Sequence, residues 1–253
     1  MSARAAPTHA PDRWPIPSRP YRFTSGRLEQ QTLYTLAQLY GQEEDYERAL
    51  AGLERWFTLT ETPSADAWTL KARFLYLLGR YADAIAPART ALRLFDERGE
   101  SAEETLYQML QYAYVELEEL ENAAEVGKEI VVRWPKKQHV LTLAAVYGEI
   151  GDELVQLALY EAAFEAGWLT SGAELTGYAQ LLLAGEIPYK AARILEDGLE
   201  TGRIESTPES WSLLSQAWLL AQEDEAPPPP VQAHTGGTCR GARVAARPLD
   251  AVR

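Results

Sequence analysis

Eight side chains in this sequence have the types and spacing to hold an extended polypeptide: Tyr34, Gln38, Arg73, Tyr76, Gln108, Tyr112, Gln180 and Gln216. Each stands one helical step from positions that read as packing residues. Tyrosine offers flat apolar area with little rotamer entropy to lose. Glutamine both donates and accepts, so it can satisfy the peptide groups of a bound strand. Such a row grips a partner and transforms nothing.

Residues that would drive a reaction are sparse. The three histidines, His9, His139 and His234, include no pair with metal-ligand spacing. His139 follows "WPKK" at a helix start and reads as a surface residue. Cys239 stands alone, which excludes an internal disulfide and a thiolate zinc cage. The glycines of "HTGGTCRG" follow no strand, so no phosphate loop is expected. No nucleophile elbow occurs. The carboxylates of "QEEDYE", "ELEELENAAE" and "AQEDE" fall in turns and on outer helix faces. A catalytic pair would need a cleft that raises one pKa. Trp68, Trp211 and Trp218 fall on the packing face, and Trp56 and Trp168 near helix ends. The reading is of a protein with no catalytic residue, no metal and no cofactor, and hence not an enzyme.

Charge narrows the partner. The total is −13, with +4 on residues 1–27 and +3 on residues 227–253, which leaves −20 on residues 28–226. So acidic a body repels nucleic acid phosphates and suits a protein or peptide partner. No run of eighteen apolar residues exists, so no membrane span is expected. The first twenty residues contain no apolar segment of the secretory kind.

The elements that must position these side chains are repeated helix pairs. Each repeat has an apolar helix, a short polar turn, and Tyr-x-x-Ala opening a second helix. Tyr46 and Ala49 match Tyr81 and Ala84, then Leu120 and Ala123, then Tyr189 and Ala192, with Glu153 and Gln156 a weaker fourth match. The intervals between the small residues are 35, 39, 33 and 36. Small residues in the first helices, Ala37, Ala72, Ala144 and Ala179, let the second helix approach, and Gln111 departs from that rule. Tyr40, Trp68, Leu75, Tyr114 and Tyr147 fill the gaps. Ser101-x-x-Glu104 and Ser171-x-x-Glu174 read as capping boxes, and Thr207 with Pro208 as an N-cap and first helical residue. No period-two alternation is sustained, so no sheet is expected. Helix pairs are expected over about 30–62, 65–98, 104–136, 137–170 and 172–206, and a sixth first helix over about 208–223.

An interval near 35 residues is that of the tetratricopeptide repeat, whose period is about 34. The phrases "TLYTLAQLY", "EDYERALAGLERWF", "AWTLKARFLYLLGRYADAIAPARTAL", "RWPKKQHVLTLAAVYGEIGDELVQLALYEAAFEAGWLTSGAEL" and "YAQLLLAGEIPYKAARILEDGLETGRIE" resemble one group of these proteins, encoded beside TonB–ExbB–ExbD energy-transduction systems of Gram-negative bacteria. The resemblance covers residues 28–225. It implies an all-α, right-handed superhelical solenoid. It also implies a periplasmic, non-catalytic scaffold for TonB-dependent uptake, with TonB-system components as partners. The alternative is a cytoplasmic adaptor or co-chaperone module, which the lack of a signal-like segment favours. Members of the group are exported and extend further at both ends.

On this reading residues 1–27 form an irregular Arg/Pro-rich leader, 28–225 the solenoid, and 226–253 a disordered Pro/Gly/Arg tail. The apolar residues of 208–223 surround their helix, and "APPPPVQ" favours an extended conformation that cannot cover them. Two expectations follow: the array is interrupted after this helix, and the bare helix supports self-association.

Overall fold

Small residues placed where helices cross determine this architecture. The computed structural model describes residues 22–221. Those residues form eleven α-helices and no strand. They run α1 (Arg22–Gln42), α2 (Tyr46–Leu59), α3 (Ala65–Leu77), α4 (Tyr81–Glu97), α5 (Glu104–Glu116), α6 (Leu120–Arg133), α7 (Lys137–Ile150), α8 (Glu153–Glu165), α9 (Gly172–Ala184), α10 (Pro188–Glu200) and α11 (Pro208–Ala221). Helix α1 begins at Arg22, inside the stretch expected to be irregular leader. The leader up to residue 21 and the tail over 226–253, with His9, His234 and Cys239, lie outside the described residues. So do residues 222 and 223 of the expected sixth first helix.

The chain divides into two compact units between Gly151 and Asp152. In the first unit each helix packs on its chain neighbour, and α3 packs also on α5. Ala37, Ala49, Leu50, Leu53, Phe74, Leu75 and Ala84 form one buried cluster, with Tyr34, Trp56 and Phe57 packed against it. Gln111, the departure from the small-residue rule, is buried as well, and its amide donates to the Ala123 carbonyl (3.4 Å). Room for it comes from the facing helix. A Cβ added at Gly127 would stand 2.5 Å from Gln111 Nε2 and 2.8 Å from Leu143 Cδ1.

The second unit packs α8 on α9, α9 on α10 and α10 on α11. Its core holds Tyr178, Ala179, Leu182, Ala191 and Leu195. The Tyr178 ring lies between Tyr160 (6.2 Å, stacked) and Phe164 (5.4 Å). Lys190 of α10 is paired with Glu161 of α8. Ile204 folds back over Gly198, where no Cβ stands in its way. Helix α11 buries Leu214 and Ala217, while Trp211, Leu219 and Leu220 are exposed. Trp211, read from sequence as a packing residue, is 41% exposed; its indole N–H donates to Ser206 Oγ (2.9 Å).

The turn inside each helix pair has one repeated geometry. The residue before the second helix's N-cap has positive φ: Glu44 (60°), Gly79 (70°), Glu118 (58°), Gly151 (84°) and Glu186 (59°). At Gly151 the glycine's own N–H reaches back to the Tyr147 and Gly148 carbonyls; in the other four turns the chain reaches back in a Schellman pattern. Asp45 N–H donates to the Tyr40 carbonyl (2.9 Å), Arg80 to Leu75 (2.9 Å), Glu119 to Tyr114 (2.9 Å) and Ile187 to Leu182 (2.8 Å). This geometry fixes the repeat frame independently of residue type. Four residues beyond the N-caps stand Ala49, Ala84, Ala123, Gln156 and Ala191. The fifth repeat is therefore framed on Pro188 and Ala191, not on Tyr189 and Ala192 as the Tyr-x-x-Ala pattern suggested. Tyr189 is 62% exposed, and both alanines are buried.

Caps set the helix starts. Asp45, Ser64 and Asp152 accept from the N–H groups of Arg48, Ala67 and Val155. Ser171 and Glu174 close a full capping box, and Thr207 Oγ1 accepts from Ser210 N–H (3.2 Å). The box expected at Ser101 and Glu104 does not form. Helix α5 begins at Glu104 itself, after Glu103. The Glu104 carboxylate reaches instead to Lys136 Nζ (2.6 Å) and His139 Nε2 (2.8 Å) at the start of α7. Charge-assisted bonds outcompete a neutral backbone donor. His139, read as a surface residue, is 6% exposed for the same reason.

Two outcomes follow. L-residues at positive φ carry a local cost that glycine avoids, partly offset by glycine's greater unfolded-state entropy. Changing Glu44, Glu118 or Glu186 to glycine is expected to stabilise its unit by about 0.5–1 kcal/mol each, read as a higher urea midpoint at constant slope. Lys136, then His139, hold the Glu104 carboxyl below its ordinary 4.5. Stability from this cluster is whole above that value and lost as pH falls through the lowered one. Glu104→Gln should lower the melting temperature at pH 7, and the gap to wild type should shrink at pH 3. A constant gap would mean that ionisation at this site is not linked to folding.

Candidate binding surface

The first unit carries two adjoining features on its first helices. One is a cleft of about 360 Å³ between α1 and α3, lined by Gln38, Gly41, Gln42, Tyr46, Leu70, Arg73, Phe74 and Leu77. Its floor depends on Gly41: a Cβ there would meet the Phe74 ring at 2.6 Å, so the bare backbone lets that ring close the bottom. Gln38, Gln42 and Arg73 are exposed at its rim. Arg73 makes no ion pair with any described residue, in a body whose carboxylates far outnumber its cations.

The other feature is a trio of tyrosines. Tyr76 of α3, Tyr81 of α4 and Tyr112 of α5 meet edge to face. Their ring centroids are 5.6 Å apart for Tyr76–Tyr81, 5.6 Å for Tyr76–Tyr112 and 5.8 Å for Tyr81–Tyr112. Tilted contacts of this kind suit the ring quadrupoles. Tyr112 is 44% exposed and the other two are half-buried. Glu116, one helical turn beyond Tyr112, hydrogen-bonds its hydroxyl and pushes the phenol up to about 12. The Tyr76 phenol is also raised, first by burial, then by Tyr81 and Glu116. Arg73 and Tyr76 lie three residues apart on α3, so the cleft and the trio adjoin.

The eight residues singled out from sequence do not all meet. Gln38 and Arg73 share the cleft, and Tyr76 and Tyr112 share the trio. Tyr34 is turned into packing: its ring lies 5.1 Å from that of Trp56, and burial, then Asp66, raises its pKa. Gln108 is half-buried and donates to Glu104 Oε1 (3.1 Å). Gln180 and Gln216 are exposed on α9 and α11 of the second unit. Sequence reasoning missed Tyr81, Glu116, Gly41 and Phe74. Tyr81 carried a signal, but as a mark of the repeat frame, not as a surface residue.

No protein-family model matches the sequence, and no curated protein does. Solved structures do. YrrB, described as a TPR protein with an unusual peptide-binding site, superposes with a TM-score of 0.53 at 18% identity, over 78% of this chain and 98% of its own. A tetratricopeptide repeat protein from Parabacteroides merdae gives 0.52 at 14% identity, over 77% of this chain and 74% of its own. MamA from Desulfovibrio magneticus RS-1 gives 0.51 at 14% identity, over 71% and 98%. This chain has the tetratricopeptide-repeat fold. In that fold the small residues at helix crossings are the repeat signature. No group of three or more metal-binding side chains occurs among the described residues, and none of their helices is long and apolar enough to cross a membrane.

Proposed function

We propose that this chain is a non-catalytic scaffold that holds a partner polypeptide against α1, α3 and α5 of its first unit. The observation that carries the reading is the continuity of cleft and trio through α3. Together they offer an apolar floor, an arginine without an ion pair, carboxamides and exposed aromatic area along one path. Stacked repeats expose their inner helices in this way for extended partners.

The finer reading places the scaffold in the periplasm, beside a TonB–ExbB–ExbD system, where it assists TonB-dependent outer-membrane transport. Its support is the set of longer sequence phrases that resemble that group. The exposed Trp211, Leu219 and Leu220 of α11 favour self-association as a secondary contact.

Affinity capture with the full chain tests the main reading. Wild type should retain a specific partner, and Tyr112→Ala should lose most of it with a melting temperature within a few degrees of wild type. A large fall in melting temperature would make Tyr112 a core residue and remove the surface from consideration. Recovery of ExbB, ExbD or TonB supports the finer reading; recovery of cytoplasmic chaperones in their place replaces it with a co-chaperone role. Light scattering at two concentrations should show a mass that rises with concentration and falls on Leu219→Lys/Leu220→Lys substitution.

A further inference from the structure

Tyrosine rings in the first unit are used as seats for cations. Arg48 lies over Tyr40 (5.6 Å), Arg89 over Tyr114 (5.3 Å) and Arg133 over Tyr107 (5.1 Å). Tyr76, Tyr81 and Tyr112 form a three-ring patch, and among the described residues no cation of the chain sits on it. The two arginines nearest in sequence are placed otherwise. Arg73 lines the α1/α3 cleft, and Arg80 is paired with Asp83 (2.7 Å).

We propose that the trio and Glu116 are a seat for an arginine side chain of the partner, resting on the reading of this face as a polypeptide-binding surface. A guanidinium is planar, weakly hydrated and able to stack on one ring while hydrogen-bonding a carboxylate beside it. Tyr112 supplies the exposed ring, with Tyr76 and Tyr81 holding it edge to face. Glu116, one helical turn beyond Tyr112, supplies the counter-charge. The long-range field agrees, because the −20 carried by residues 28–226 draws a basic segment toward the face. The partner is therefore a protein with an extended, arginine-bearing segment. Lysine, a compact and strongly hydrated charge, fits less well.

Four pools of fluorescein-labelled decapeptides test this, each with random flanks and one fixed central residue: arginine, lysine, citrulline or leucine. Fluorescence polarisation against the full chain should show the arginine pool binding about fivefold tighter than the citrulline pool, a preference of the size cation–π contacts give. Tyr76→Leu and Glu116→Gln should each reduce that ratio, and Tyr112→Leu should abolish it. The two leucine variants and the neutralised carboxylate guard against any one of them failing to fold. Equal binding of arginine and citrulline pools overturns the arginine seat and leaves the polypeptide-binding reading standing. A preference that survives Tyr112→Leu also overturns it. Binding of no pool overturns both. If changing Arg240, Arg243, Arg247 and Arg253 to glutamine tightens the arginine pool, the chain's own tail is the occupant and the assignment to a partner fails.

Discussion

Close packing of helices within each unit depends on small residues buried between them. Ala37, Ala49, Ala72, Ala84, Ala144, Ala179 and Ala191 are all buried, and a close-packed interior leaves no room for a longer side chain at such places. Dispersion falls off steeply with separation, so a gap of one methyl group at a crossing forfeits contacts along the whole interface. The large residues depend on this. Phe74 and Leu75 are buried because Ala37, Ala49 and Ala84 bring α1, α2 and α4 up to them. The cleft depends on it as well, since its floor is a ring pressed against the bare Cα of Gly41.

The turns obey a second constraint that is indifferent to side-chain type. The five turns inside the helix pairs each place one residue in the left-handed region, twice as glycine and three times as glutamate. The back-reaching hydrogen bonds have almost the same lengths in both cases. The fold is thus held to one backbone path by the packing of the helices on either side, strongly enough to keep glutamate where it is intrinsically disfavoured.

Much of this was legible in the sequence, for identifiable reasons. The starts of α9 and α11 fall where Ser171 and Thr207 put them, because these caps act locally on the next turn of chain. What was not legible depends on neighbours distant in sequence. Ser101 and Glu104 had the letters of a capping box, but Lys136 and His139, more than thirty residues on, took the carboxylate. His139 looked like a surface residue because nothing near it in sequence explains its burial. Trp211 looked like core because size and apolarity do not say which face a neighbour covers. The one-residue frame error at Ala192 came from reading Tyr189 as the marker tyrosine when the backbone uses Pro188 in that place. Of the candidate site, Gln38, Arg73, Tyr76 and Tyr112 were visible as one face of the first helices; the floor comes from the close approach of Phe74 to Gly41, and the third ring, Tyr81, from a second helix, neither of which spacing encodes.

The pairing of Gln111 with Gly127 bears on how interchangeable the units of such a chain are. Where other first helices carry alanine, this one inserts a carboxamide, and the opposite helix has given up its β-carbon to admit it. Transplanting a helix from another repeat into this position would leave an empty volume above Gly127, while moving α5 elsewhere would drive its glutamine into Leu53, Ala88, Tyr160 or Leu195, which stand at the same distance from their N-caps as Gly127. The turns repeat one left-handed residue, but the side chains between the helices are fitted pairwise, and a recombined array would have to carry both halves of the fit together.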